Sequence, residues 1–100
     1  MSIEEDKKTV LKTKPIFPTA YPLSVEKEGL EEFKAGYTAG WEDYKTRIKD
    51  EVKAVIRYGE IIEMSNYELP YKNFTSIYKQ IGYSHGWKSY RRFLKNTFFK

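Results

Sequence analysis

The chain of 100 residues contains no cysteine and a single histidine, His85. Disulfide bridges and cysteine-based metal sites are therefore excluded, and one histidine cannot form a site of several histidines. No serine lies in a recognisable nucleophile turn, and the acidic residues do not follow the spacing of a calcium-binding loop. We therefore expect no catalytic residue, no metal and no cofactor, and we interpret the chain as non-enzymatic.

Long apolar runs are also missing. No stretch is long enough to span a bilayer, and the N-terminus lacks the basic start and apolar run of a secretory signal. We expect a protein of the cytoplasm or the interior of a virion, with no classical secretion signal and no transmembrane segment. The frequent lysine, isoleucine, tyrosine and asparagine, with scarce alanine, are typical of AT-rich genomes. On that ground alone the chain is expected to be a viral or phage accessory or virion component.

Aromatic residues, in contrast, are abundant, with 9 tyrosines, 6 phenylalanines and 2 tryptophans. The motif Gly-Tyr-x-x-Gly-Trp-x-x-Tyr occurs at 36–44 and again at 82–90, a separation of 46 residues. Both tryptophans and four of the 6 glycines occupy equivalent places in the two motifs, which indicates an internal repeat. On a helix the rings of each motif share one face, and the two glycines form a notch beside them.

Each glycine inside a helix costs about 1 kcal/mol relative to alanine, and close approach of another helix is the usual compensation. The aromatic stripe can be an ordinary core that the glycines accommodate. It can also be a dedicated helix–helix interface, either between the two motifs or between two chains. The interface would comprise Gly36, Tyr37, Gly40, Trp41, Tyr44, Gly82, Tyr83, Gly86, Trp87 and Tyr90.

Residues 1–23 are predicted to form an extended or partly disordered N-terminal arm. Pro15, Pro18 and Pro22 oppose helix there and favour extended backbone. The apolar residues between these prolines indicate that the arm lies on its own domain or on a partner. Residues 24–100 are predicted to form the helical domain that carries both motifs.

Within that domain an apolar stripe with steps of three, four or seven residues predicts one long helix over about 25–63, with a break near Lys49–Asp50 as the alternative. A turn at 65–70 separates it from a second helix, predicted from about Tyr71 to Thr97. The apolar face of the second helix changes side near Gly82, which predicts a kink or bulge there, or burial on two sides. The expected fold is all-α, an extended arm followed by a long antiparallel two-helix hairpin. Two helices cannot cover both apolar faces, so we predict that oligomerisation completes a bundle.

Acidic residues are absent from the last part of the chain. Residues 71–100 hold seven basic residues and no acidic one, and the whole chain has a net charge of +4. Lys88, Arg92 and Lys95 follow one another at i, i+4 and i+7, with Arg91 close by. Such a basic stripe can bind nucleic-acid phosphates, an anionic membrane or an acidic protein surface.

The two motifs also differ in charge. Glu42 and Asp43 in the first correspond to Lys88 and Ser89 in the second. Antiparallel pairing would bring the acidic flank near the basic one, although exposed ion pairs contribute little stability.

The function that these patterns favour is that of a small structural or interaction protein, which assembles through its glycine and aromatic repeats. Its partners would be further copies of itself or a larger protein assembly. The alternative is a nucleic-acid-binding protein that uses the basic C-terminal helix. The sequence leaves the identity of the partner open.

Overall fold

A computed structural model describes residues 3–21, 25–54, 67–70 and 72–98. Most of them form three α-helices, which are α1 (Ile3–Lys12), α2 (Leu30–Ala54) and α3 (Ile77–Phe98). No strand occurs within these ranges, so the predicted all-α class is confirmed for the described part of the chain.

Helices α2 and α3 pack closely against each other, and they run parallel. Near the start of the pair the Tyr78 hydroxyl donates to Glu28 Oε2 over 2.9 Å. Farther along, the ring centroids of Tyr44 and Trp87 are 4.7 Å apart. The contacts therefore advance toward the C-termini of both helices together. The close pairing of two helices is confirmed, but the antiparallel direction predicted from the sequence is wrong.

The described part of the connection between the two helices passes back along the pair. Tyr67 lies beside Tyr44, with ring centroids 5.9 Å apart. Ser76, in contrast, donates through Oγ to Glu32 Oε2 over 2.6 Å, close to the start of α2. This return places the beginning of α3 beside the beginning of α2, which is what a parallel pair requires.

The first long helix was predicted over 25–63. Its first turn, Val25–Gly29, has π-helical hydrogen bonding, and α-helix follows from Leu30 to Ala54. The predicted end of this helix lies outside the described residues. The sequence therefore predicted the position of this helix, but its first turn is π-helical rather than α-helical.

The second long helix begins later than predicted. Residues 72–76 are not helical, so α3 starts at Ile77 rather than near Tyr71. Its end at Phe98 is one residue beyond the predicted one. The hydrogen bonding is α-helical throughout α3, so the bulge expected near Gly82 is not formed. A kink at that position stays a prediction.

The N-terminal arm is partly helical, which corrects the prediction of an extended segment over 1–23. Helix α1 carries acidic residues in its first turn and Lys12 in its last, as the helix dipole favours. Asp6 and Val10, one turn apart, are buried. The charged sequence shows too few apolar residues for a helical period, so packing against α2 and α3 decides the conformation. Residues 13–21 have no regular secondary structure, as the prolines predicted.

Most of the core consists of one buried stripe on each long helix, to which Val10 of α1 and Val25 are added. From Gly36 to Val52, every buried residue of α2 has a buried counterpart 46 positions later in α3, whereas the buried Phe33 corresponds to the half-buried Lys79. The outer face of α3 is open, since Ile77 is 68% and Ile81 is 37% exposed. Completion of a larger bundle by oligomerisation stays a prediction.

Candidate functional site

The two glycine motifs pack directly on each other. Gly36 faces the carbonyl oxygen of Lys79, and the equivalent Gly82 faces that of Phe33, the counterpart of Lys79. A Cβ added at any of the four motif glycines would lie under 3.0 Å from backbone atoms of the opposite helix. These approaches are typical of Cα–H···O contacts between helices. The α2–α3 pair therefore has an approximate two-fold axis along the helices.

Polar groups on the motif rings bind backbone carbonyl groups outside the pair. Three of them bind the N-terminal arm: Tyr37 Oη donates to Ile16 O over 2.5 Å, Trp41 Nε1 to Thr13 O over 3.2 Å and Tyr90 Oη to Val10 O over 2.8 Å. On the other side Trp87 Nε1 donates to Tyr67 O over 3.4 Å. Burial raises the pKa of Tyr90, and burial likewise raises that of Tyr37. The arm and the connection thus cover opposite sides of the pair.

The acidic flank of the first motif interacts with the second motif, but not as predicted. Asp43 Oδ2 accepts a hydrogen bond from Tyr83 Oη over 2.6 Å and lies 3.9 Å from Lys72 Nζ. Burial, and then this hydrogen bond, raise the pKa of Tyr83. Glu42 pairs with a lysine of its own helix. The expected approach of this flank to Lys88 depended on antiparallel helices, and Asp43 is instead bonded to a tyrosine.

All ten residues proposed for a helix–helix interface lie in the contact between α2 and α3 of one chain. Their glycines are buried, and each of their rings is at most 2% exposed. Another chain could reach these surfaces only if the two helices separated. A surface for a partner therefore has to be sought among the exposed residues.

The four basic residues singled out in the sequence lie around one open cleft on α3. The cleft has a volume of about 370 Å³ and is lined by Lys88, Arg91, Arg92, Lys95 and Asn96. We call it the basic cleft. No carboxylate lines it, and the sequence of α3 contains none. An anion at this position would therefore meet cations without a competing acid in the lining.

A second cleft lies next to it, between the arm and α3. It has a volume of about 310 Å³, and we call it the aromatic cleft; its lining is Ile16, Phe17, Pro18, Tyr37, Trp41, Ser89, Arg92, Phe93 and Asn96. Arg92 and Asn96 also line the basic cleft, so the two clefts adjoin. The sequence did not predict this cleft, because the arm has to dock before it exists. The apolar residues between the arm prolines were the only signal.

The described ranges contain one histidine, no cluster that could hold a metal ion and no helix that could span a membrane. His85 is exposed, and its ring centroid lies 5.5 Å from that of Phe33. No three histidine, cysteine, aspartate or glutamate side chains of the described residues cluster so as to hold a metal ion. None of the helices in the described ranges is both long enough and apolar enough to cross a membrane.

Comparisons with protein-family models, with curated proteins and with solved structures gave no match to this chain. Its function therefore has to be inferred from the shapes and charges of its own surface. The two adjoining clefts beside α3 combine cations, aromatic rings and polar side chains, and they are the strongest candidate site.

Proposed function

We propose that this protein is a non-enzymatic nucleic-acid-binding protein whose contact surface is the basic cleft. The observation that carries the proposal is the convergence of Lys88, Arg91, Arg92 and Lys95 on one open cleft with no carboxylate in its lining. Arginine matches phosphate oxygens through paired donors, and lysine supplies a compact charge. Neither cleft is lined by a histidine or a carboxylate, and histidine is the most frequent general acid or base.

Binding through four phosphate contacts predicts a steep dependence on salt. Each neutralised phosphate of duplex DNA contributes about −0.9 to the slope of log K against log salt concentration. Four contacts therefore give a slope of about −3.6, and the affinity falls about 150-fold between about 50 and 200 mM salt.

The test is fluorescence anisotropy with a labelled duplex across this salt range. The Lys88→Ala/Arg92→Ala variant should bind more weakly, and its slope should fall to about −1.8 because two contacts are lost. The control, Lys8→Ala/Lys27→Ala, removes two exposed lysines that do not line the basic cleft. Absence of binding at about 50 mM salt, or an equal effect of both variants, would refute the proposal.

A second candidate function is self-assembly through the outer face of α3. The observation that favours it is the exposure of Ile77 and Ile81, which lie one turn apart. This face can contact another chain while the motif residues stay packed within each chain. Light scattering should then show an oligomer that Ile77→Asp/Ile81→Asp disperses and Leu69→Asp does not, since Leu69 is an exposed leucine outside the helices. A monomer at high concentration would contradict assembly.

A further inference from the structure

The aromatic cleft has the size and lining of a site for a flat ring. Its volume of about 310 Å³ is at the small end of ligand sites, which run from about 300 to 1,000 Å³. Phe17 stands at its edge and is 39% exposed, with its ring centroid 5.1 Å from that of Tyr37. Deeper in, Trp41 and Phe93 stack with centroids 5.5 Å apart and an angle of 29° between their planes. Because Tyr37 and Trp41 are at most 2% exposed, a planar, unsaturated group would contact mainly the rings of Phe17 and the half-buried Phe93.

Polar groups in the same cleft suit the edge of a nucleobase. Ser89 and Asn96 line it, and together they offer hydrogen-bond donors and acceptors. An amide side chain is able to pair with the donors and acceptors that every base carries along its edge. Most of the lining is nevertheless apolar or aromatic, so stacking rather than hydrogen bonding would provide most of the contact. Such a site tolerates different bases.

The aromatic cleft, which suits a flat ring, adjoins the basic cleft, which suits phosphate groups. Arg92 lines both clefts, so it borders the aromatic residues of one and the basic residues of the other. Lys34 Nζ adds a positive charge 6.0 Å from the centroid of the Phe17 ring. A ring attached to a chain of phosphates matches this succession of aromatic and basic surfaces.

We infer that the aromatic cleft takes an unpaired base of a single-stranded nucleic acid, whose neighbouring phosphates lie on the basic cleft. This inference rests on the proposed function and narrows it. In a duplex the bases are stacked and paired, so they could reach the cleft only after the costly step of flipping out. A single strand presents its bases freely, and aromatic side chains beside a basic groove are the usual means of binding it.

The test compares a single-stranded oligothymidine of about 12 nucleotides with a duplex of the same length, at about 50 mM salt. Phe17→Ala should weaken single-strand binding about ten-fold, as loss of one stacked base implies, and change duplex binding less than about two-fold. Phe17→Trp should restore the affinity. Leu69→Ala is the matched control, because Leu69 is also 39% exposed but lies outside both clefts.

Charge is tested separately, so that the two proposals can fail independently. Lys88→Ala should weaken binding of both nucleic acids, and Lys27→Ala, another exposed lysine, should weaken neither. Equal affinity for both nucleic acids with no effect of Phe17→Ala would overturn the unpaired-base site and leave the proposed function intact. Absence of binding to either would overturn both. Binding to phosphatidylglycerol vesicles without any binding to oligonucleotides would also overturn both proposals, and it would assign the surface to membranes.

A crosslinking experiment on the unchanged protein locates the base without any substitution. An oligonucleotide carrying 4-thiothymidine is irradiated in the complex, and the crosslinked peptides are identified by mass spectrometry. The adduct is expected on residues that line the aromatic cleft, which are residues 16–18, Ser89, Arg92, Phe93 and Asn96. Adducts only in α1 or in the Val25–Gly29 turn would place the base elsewhere and refute the site.

Discussion

Replacing Gly36 by alanine should destabilise the protein, although alanine is the better helix former. Helix propensity alone would add about 1 kcal/mol of stability. The new Cβ, however, would lie under 3.0 Å from backbone atoms of Lys79 and Tyr83 in α3. Backbone atoms within a helix cannot rotate away, so the two helices have to separate. Overpacking costs about 1–3 kcal/mol. Because the contacts are with backbone atoms, we expect an overpacking cost of about 3 kcal/mol. The gain of about 1 kcal/mol from helix propensity then leaves a net loss of about 2 kcal/mol.

Urea unfolding followed by circular dichroism measures this loss, which should also lower Tm by roughly 10 °C. The neighbouring residue provides the control, since Ala35 is exposed on the same helix. Ala35→Gly should lose about 1 kcal/mol through helix propensity alone. One variant replaces glycine by alanine and the other replaces alanine by glycine, and both should be less stable than the parent protein. A Gly36→Ala variant that gains stability would refute the close packing of the helices.

Two further predictions concern the buried tyrosines and α1. Because burial raises the pKa of Tyr83 and Tyr90 above the usual 10.0, the native state keeps protons that the unfolded state loses. Stability is therefore complete below about pH 10 and should fall above it, by up to about 1.4 kcal/mol per pH unit for each tyrosine. Urea unfolding should show this slope, and an equal slope in Tyr90→Phe would contradict the role of that residue. Val10→Ala should lose about 2 kcal/mol in thermal unfolding, because Val10 is 0% exposed. Lys8→Ala, an exposed change in the same helix, should stay within about 0.5 kcal/mol of the parent. Equal stability of the two would contradict the docking of α1.

The repeat predicted which residues form the helix contact, but it could not give the direction of the helices. A two-fold axis along the pair and one across it both place Gly36 and Gly82 in equivalent surroundings. The choice depended on the connection, and a short turn at 65–70 implied an antiparallel hairpin. The described residues 72–76 instead continue back along the pair, and this longer path makes the parallel arrangement possible.

The candidate site was predictable to the extent that one helix forms it. Lys88, Arg92 and Lys95 have helical spacing, so any correct assignment of that helix brings them together. The aromatic cleft joins Phe17 of the arm to Phe93 of α3, residues far apart in the sequence. No local pattern encodes that contact. It arises because the ring donors of the first motif bind carbonyl groups of the arm, which only the packed structure reveals.

The equivalence of the two motifs in the core predicts that their tryptophans contribute alike to stability and differently to the arm. Trp41 donates to Thr13 O in the arm, whereas Trp87 donates to Tyr67 O in the connection. Replacing either by phenylalanine removes a hydrogen bond and part of a buried ring, which should cost about 2 kcal/mol in urea unfolding. Trypsin cleavage after the exposed Lys12 should accelerate in Trp41→Phe and stay unchanged in Trp87→Phe. Local opening of the arm exposes the bond between Lys12 and Thr13, the residue whose carbonyl group Trp41 binds. Equal cleavage of the two variants would mean that the arm is held by other contacts. Faster cleavage in Trp41→Phe alone would show that two similar motifs, equivalent in the core, fix different segments of the chain.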